Sequence, residues 1–295
     1  MSVKALPIPP QPASSPFQSD EYKKHLAFLH EIRAPGKPAE WNKWMGYKMA
    51  TAHTYYLDLI ERVYAFAEYA VEKDDLADYL GFADCAFAQI WEHHHFEETD
   101  LFPFWREHVS GPFRAGLTTN VDQHHLFARP LDACWLYVRR LRPSLPPRAG
   151  VKTFPSPVPE PPEVVSAIDP GEFGLDITKP FDPAALRREM DEWVPDCVRH
   201  MQEEIETLRP EFFDSMGEKR YMESEGILVK HLQAMDPTWF LVSCIASLPM
   251  HAVKGLCELP YPVRRLLVPL MWSGKYWSFW KYTSHPENLT FSGSA

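Results

Sequence analysis

The sequence predicts an all-α protein built on four long helices, and three observations carry that reading. Apolar residues recur at helical spacing along several stretches, cap residues mark where those stretches begin, and a histidine–glutamate pair with its flanks occurs twice. The pair first appears in Ile90 to Trp105, IWEHHHFEETDLFPFW, where His93 is followed by Glu97, Leu101 and Pro103. A four-residue step is about one helical turn, so the imidazole and the carboxylate stack on one face, in line with Ala86 and Ile90. The pair interrupts an apolar stripe that points into a core. An ionised carboxylate there is costly unless a metal or a partner compensates it. Farther along, Trp193, Cys197, His200, Glu204, Leu208 and Pro210 repeat nearly the same offsets. His93 and His200 each have Glu at +4, Leu at +8, Pro at +10 and an aromatic at +12, Trp105 and Phe212 respectively. A lone His-x-x-x-Glu is common by chance; two copies with shared flanks point to a duplicated helix with a shared task.

Taken in order, residues 1 to about 20 are rich in Pro and Ser and read as a loose arm, within an irregular N-terminal region over 1–38. The first helix is expected from about Ala39 to Val71, with Met49, His53, Leu57, Ile60 and Tyr64 on one buried face. Asp74 and Asp75 mark the turn into the second helix, which carries HHHFEETDLFP and places Pro103 near its C-terminal end before Gly111 and Pro112. The third helix begins near Thr118 or Asn120, either a suitable N-cap, and runs to about Arg142. Its stripe of His124, Phe127, Leu131, Trp135 and Val138 selects His124 over His125 as the inward residue. Pro130 lies inside that helix and removes a backbone donor, which predicts a kink.

Pro143 to Pro183 holds eleven of the 29 prolines and no periodicity, and reads as a long connection, wrapped on the surface or partly mobile. Pro155 to Pro162 offers PxxP spacing to a partner domain, although a solvated connector is the simpler reading. Asp182 and Pro183 are the N-cap and first residue of the fourth helix, whose Pro195, shortly before His200, predicts a kink or a broken start. The four helices form one domain over 39–215, the 143–182 loop included; the aromatic-rich extension 216–295 is expected to pack on it as short helical turns.

At 295 residues, with 45% hydrophobic and 24% charged content, the chain has the composition of a soluble globular protein with a sizeable core. A net charge of −10 argues against a nucleic-acid surface. Cys85, Cys134, Cys197, Cys244 and Cys257 are scattered without a CxxC pair, which fits free thiols in a reducing compartment. MSVKALPIPPQPASSPF has no apolar secretory core, and Trp239 to Leu248 is too short to span a membrane, so a cytoplasmic protein is expected.

Four helices thus each carry an inward histidine, His53, His93, His124 and His200, and two add Glu97 and Glu204 one turn on. Six such groups in one core are a di-metal pattern in which the carboxylates can bridge, and imidazole with carboxylate suits iron, manganese or zinc. His94, His95 and His125 are expected on the flank or surface, although a helical offset of one would turn any of them inward, and Glu98 and Glu203 in solvent or behind the ligands. Tyr56, three residues beyond His53, either donates a hydrogen bond toward the site or packs beside it.

The stretches MATAHTYYLDLI, HHHFEETDLFP, NVDQHHLF and HMQEEIETLRP resemble those of hemerythrin-like proteins of the HHE cation-binding type, in the form found in fungi, over roughly residues 40 to 215. The segment from WFLVSC to WKY resembles the C-terminal extension of the fungal members. The resemblance implies an antiparallel four-helix bundle around a non-haem di-iron centre. His53, His93, His124 and His200 would be terminal ligands, and Glu97 and Glu204 would bridge. Oxygen-carrying hemerythrins have HxxxH and a further Asp where this chain repeats HxxxE. Two nitrogens and two bridging carboxylates per metal would leave both metals open, which favours an O2-dependent oxidase or oxygenase acting on a small molecule. The alternatives are reversible binding or sensing of O2, NO or iron, and iron donation in stress repair.

Overall fold

The computed structural model describes residues 4–145, 154–257, 260 and 262–290. Eleven α-helices occur among them, and no strand. In chain order they are α1 (Asp20–Arg33), α2 (Trp44–Glu72), α3 (Leu76–Phe96), α4 (Phe102–His108), α5 (Pro112–Leu141), α6 (Glu163–Ser166), α7 (Pro183–Thr207), α8 (Pro210–Met216), α9 (Glu218–Ala234), α10 (Phe240–Ser247) and α11 (Met250–Cys257). A wider π-helical turn, Glu97–Leu101, joins α3 to α4.

The four long helices α2, α3, α5 and α7 pack in a closed ring: α2 touches α3 and α7, and α5 touches the same two. Each presents the stripe read from the sequence. Leu57, Ile60 and Tyr64 of α2, Phe127, Leu131, Trp135 and Val138 of α5, and Trp193 and Cys197 of α7 are all buried. Arg187 of α7 ties the ring together by donating to the carbonyl oxygens of Tyr64 (2.8 Å) and Ala65 (3.1 Å) on α2. The start of α7 follows the sequence expectation, with the Asp182 carboxylate accepting from the backbone N–H groups of Ala184 and Ala185.

Three boundaries differ. The expected irregular region over 1–38 contains α1, whose N-terminus is capped by Ser19 and whose buried face is Tyr22, His25 and Leu29. That face packs on α2, and Tyr22 donates to Glu61 at 2.9 Å. α5 begins at Pro112 rather than near Thr118, because a proline fits the first helical turn, where no backbone donor is needed. Pro103 likewise sits in the first turn of α4 and does not close α3.

The C-terminal turns lie against the ring: α10 on α2 and α3, and the 3-10 turn Phe279–Tyr282 on α3. Gly81 permits the latter, since a Cβ there would come within 2.3 Å of the Phe279 ring. The Pro-rich connection is pinned rather than solvated over 154–166: Arg139 donates to the Val158 carbonyl, Arg142 to that of Phe154 and Arg140 to that of Ser166. Its residues 146–153 lie outside the described ones. No helix among the described residues is long and apolar enough to cross a membrane. Cys85, Cys134 and Cys197 are buried free thiols, and Cys244 is buried as well.

Candidate metal centre

Each wall of the ring contributes to one buried cluster. α2 supplies His53, α3 supplies His93 and His94, the π-helical turn supplies Glu97, α5 supplies His124, and α7 supplies His200 and Glu204. His53, Glu97, His200 and Glu204 are 0% exposed, and the His93 side chain is 8% exposed. The donor atoms gather in two groups, each within 4.8 Å: His53, His93 and Glu204 in one, and His94, Glu97, His124 and His200 in the other.

The carboxylates link the groups. Glu97 Oε1 lies 3.3 Å from His93 Nε2, and its Oε2 lies 3.7 Å from His124 Nε2. Glu204 Oε2 lies 3.0 Å from His53 Nε2 and 3.9 Å from His200 Nε2. All six ligand residues expected from the sequence are therefore together, and each carboxylate faces histidines of both groups.

His94 corrects the expectation of a flank residue. It is 7% exposed, its ring centroid is 4.4 Å from that of His124, and it joins the second group. His95 and His125 are exposed as expected, with His95 stacked on Trp91 at 4.5 Å. Glu203 pairs with the Gln123 amide, behind the ligands. The Tyr56 ring packs against His93, tilted by 31°, at 4.7 Å between centroids.

The backs of three rings set their tautomers. His53 Nδ1 donates to the Met201 carbonyl oxygen at 3.0 Å, His124 Nδ1 to the Glu98 carboxylate at 2.7 Å, and His200 Nδ1 to the Gln123 amide oxygen at 3.3 Å. Each acceptor can only accept, so in the neutral ring Nδ1 holds the proton and Nε2 turns a bare lone pair into the cluster. Glu98 takes the second of the two places expected for it, behind a ligand, and Gln123 is a site residue that sequence reasoning did not assign.

The protonation of the buried imidazoles points the same way. Burial, and then the neighbouring imidazoles, hold His93, His94 and His200 well below the ordinary histidine range, so these rings are neutral at pH 7. Burial, and then Glu204 beside it, push Glu97 well above the usual carboxylate range. Glu98 is lowered: burial alone would raise it, but the hydrogen bond that His124 donates outweighs burial.

A metal fits these residues. His53 Nε2, His93 Nε2, His94 Nε2 and both oxygens of Glu97 and of Glu204 are buried without a hydrogen-bond partner. Bare lone pairs face one another at 2.9 Å between His124 Nε2 and His200 Nε2, and at 3.0 Å between His53 Nε2 and Glu204. Such contacts repel unless a proton or a metal ion lies between them. Adjacent donors on an ion with bonds of about 2.1 Å stand about 3 Å apart. The buried His/Glu groups can thus hold metal ions, and neutral imidazoles are already in the ligating form. Comparison of the chain with protein-family models, curated proteins and solved structures returned no match.

Proposed function

We propose that this chain is a hemerythrin-like protein of the HHE type, an antiparallel four-helix bundle holding two iron ions, and that it captures or senses a diatomic gas, O2 or NO. The observation that carries the proposal is the unequal donor set around two shared carboxylates. One end offers three imidazoles (His94, His124, His200) and the other offers two (His53, His93). The equal count of two histidines per metal, which favoured an oxidase, loses its basis once His94 is included.

Two iron ions would supply the electrons and the coordination position that a diatomic ligand needs. Manganese or zinc fits the same donors, but zinc lacks the redox step. The residues do the rest. Glu97 and Glu204 span the two ends, Glu98, Gln123 and the Met201 carbonyl hold ring orientation, and the two-imidazole end, with fewer protein donors, would leave a coordination position for a ligand. Burial of Glu97, Glu204, His53 and His200 excludes bulk water, which slows loss of electrons to solvent and favours reversible capture.

A second reading, an O2-dependent oxidase or oxygenase acting on a small molecule, is favoured by Tyr56. Its phenol ring packs against His93 at the two-imidazole end, where it can donate a hydrogen bond or an electron. The test is the absorption spectrum of the anaerobically iron-loaded, reduced protein as O2 is admitted and withdrawn. A band that comes and goes with the gas supports capture. A transient band followed by permanent oxidation supports the oxidase. No spectral response to O2 or NO overturns both.

A further inference from the structure

At the end of α5, a cavity of about 810 Å³ opens between α3 and the Pro-rich connection. Arg139, Arg140 and Arg142 line it, with Asp84 and Glu160 as the acidic members and Leu145, Phe154 and Pro159 among the apolar ones. The size suits a small organic ligand. Its charges do not balance locally. Arg139 is matched, holding Asp84 at 3.0 Å and Glu160 at 2.9 Å. Asp84 is in turn fully committed, accepting from Trp135 Nε1 at 2.8 Å and from the Ser156 hydroxyl.

Among the described residues, Arg140 and Arg142 bond carbonyl oxygens and no carboxylate. Arg140 donates to Ser166, and Arg142 donates to Ala77 at 3.2 Å and to Phe154 at 2.9 Å. Each guanidinium carries five N–H groups, more than these bonds use. Arg142 is the sharper case, because burial lowers its pKa by more than nearby Asp84 and Asp78, neither of which bonds it, raise it, and the Phe279 ring lies 5.0 Å from it. A half-buried cation without a carboxylate partner is a cost that an arriving anion removes. Outside the lining, Lys275 lies 5.4 Å from the Phe154 ring and adds a further positive charge beside it.

We propose that this cavity is a binding site for a small organic oxyanion, a carboxylate or phosphate group on an apolar or aromatic body. Arg140 and Arg142 take the charged group and Phe154 takes the body. The tandem of guanidiniums and a ring asks for both parts at once, so inorganic phosphate alone is the weaker ligand. The site is independent of the gas-binding proposal.

The test is calorimetric titration of the full metal-loaded chain with phenyl phosphate, benzoate and inorganic phosphate, and with benzyl alcohol as the neutral control. Saturable binding of the aromatic anions is expected, weaker binding of phosphate, and none of benzyl alcohol. Arg142→Gln is expected to raise the dissociation constant about tenfold, as is Arg140→Gln, which lies at the exposed edge and leaves the packing intact. Either variant suffices if the other does not fold. Absence of saturation below roughly 10 mM overturns the proposal. So does undiminished binding in both variants, or binding that disappears when the metals are chelated, which would put the anion at the metal centre.

Discussion

Replacing Glu98 by Gln removes one negative charge behind one ligand and little else. The Glu98 carboxylate accepts from His124 Nδ1 at 2.7 Å, and its side chain is 32% exposed. The amide oxygen of Gln still accepts, so the ring keeps its tautomer and Nε2 still faces the cluster. What is lost is the charge that strengthens His124 as a donor. Removing an outer partner of a metal-binding histidine costs about 10- to 100-fold in affinity. Partial exposure screens the charge, so the low end applies: about tenfold, or about 1.4 kcal/mol. The loss should fall on one ion only, because His53 uses the Met201 carbonyl instead. Competition against a chromophoric chelator, which resolves the two affinities, is the assay. Equal weakening of both ions, or no weakening, refutes the argument that Glu98 acts through His124.

Further outcomes follow from the same geometry. His94→Leu should weaken the three-imidazole end and leave its spectrum closer to that of its neighbour; a variant with unchanged affinities would show that His94 only packs. Chelation should lower the thermal midpoint, since ions at a thousand times their dissociation constant stabilise the folded state by about 4 kcal/mol; an unchanged midpoint contradicts linkage of metal and fold. Asp132, 8% exposed, has its pKa pushed up by burial to about 7. The folded chain then keeps a proton that the unfolded chain gives up above about pH 4, so this group's contribution declines as pH rises from there through 7. Asp132→Asn should match the parent at pH 4 and exceed it at pH 8 by at most about 4 kcal/mol in urea unfolding. Equal stability at both pH values would place that carboxyl in a polar setting.

Much of the site was legible because helices report which residues share a face. Met49, His53 and Leu57, and His124, Phe127 and Leu131, each fall on one stripe, and the two HxxxE pairs fall on two more. His94 was missed by the same logic, which allows one inward residue per turn. Two adjacent donor groups ask α3 for a wider face. His93 serves one group and His94 the other, while Glu97, four residues from the first and three from the second, sits over the seam. The π-helical turn at Glu97–Leu101 leaves no composition signal, although such turns often mark functional positions. α1 was hidden by the prolines before it, yet Ser19 with Tyr22 and Leu29 beyond it was a usable start signal. The partners on the far sides of His53 and His200 are a backbone carbonyl and an amide from other helices, and no spacing rule reaches across helices.

The most direct test is the metal content per chain of the full protein reconstituted anaerobically with ferrous iron, with Glu97→Ala and Glu204→Ala alongside. Two ions in the parent and fewer than two in each variant are expected, because each carboxylate faces both histidine groups. No ion in the parent, or two retained in either variant, would contradict a centre bridged by Glu97 and Glu204.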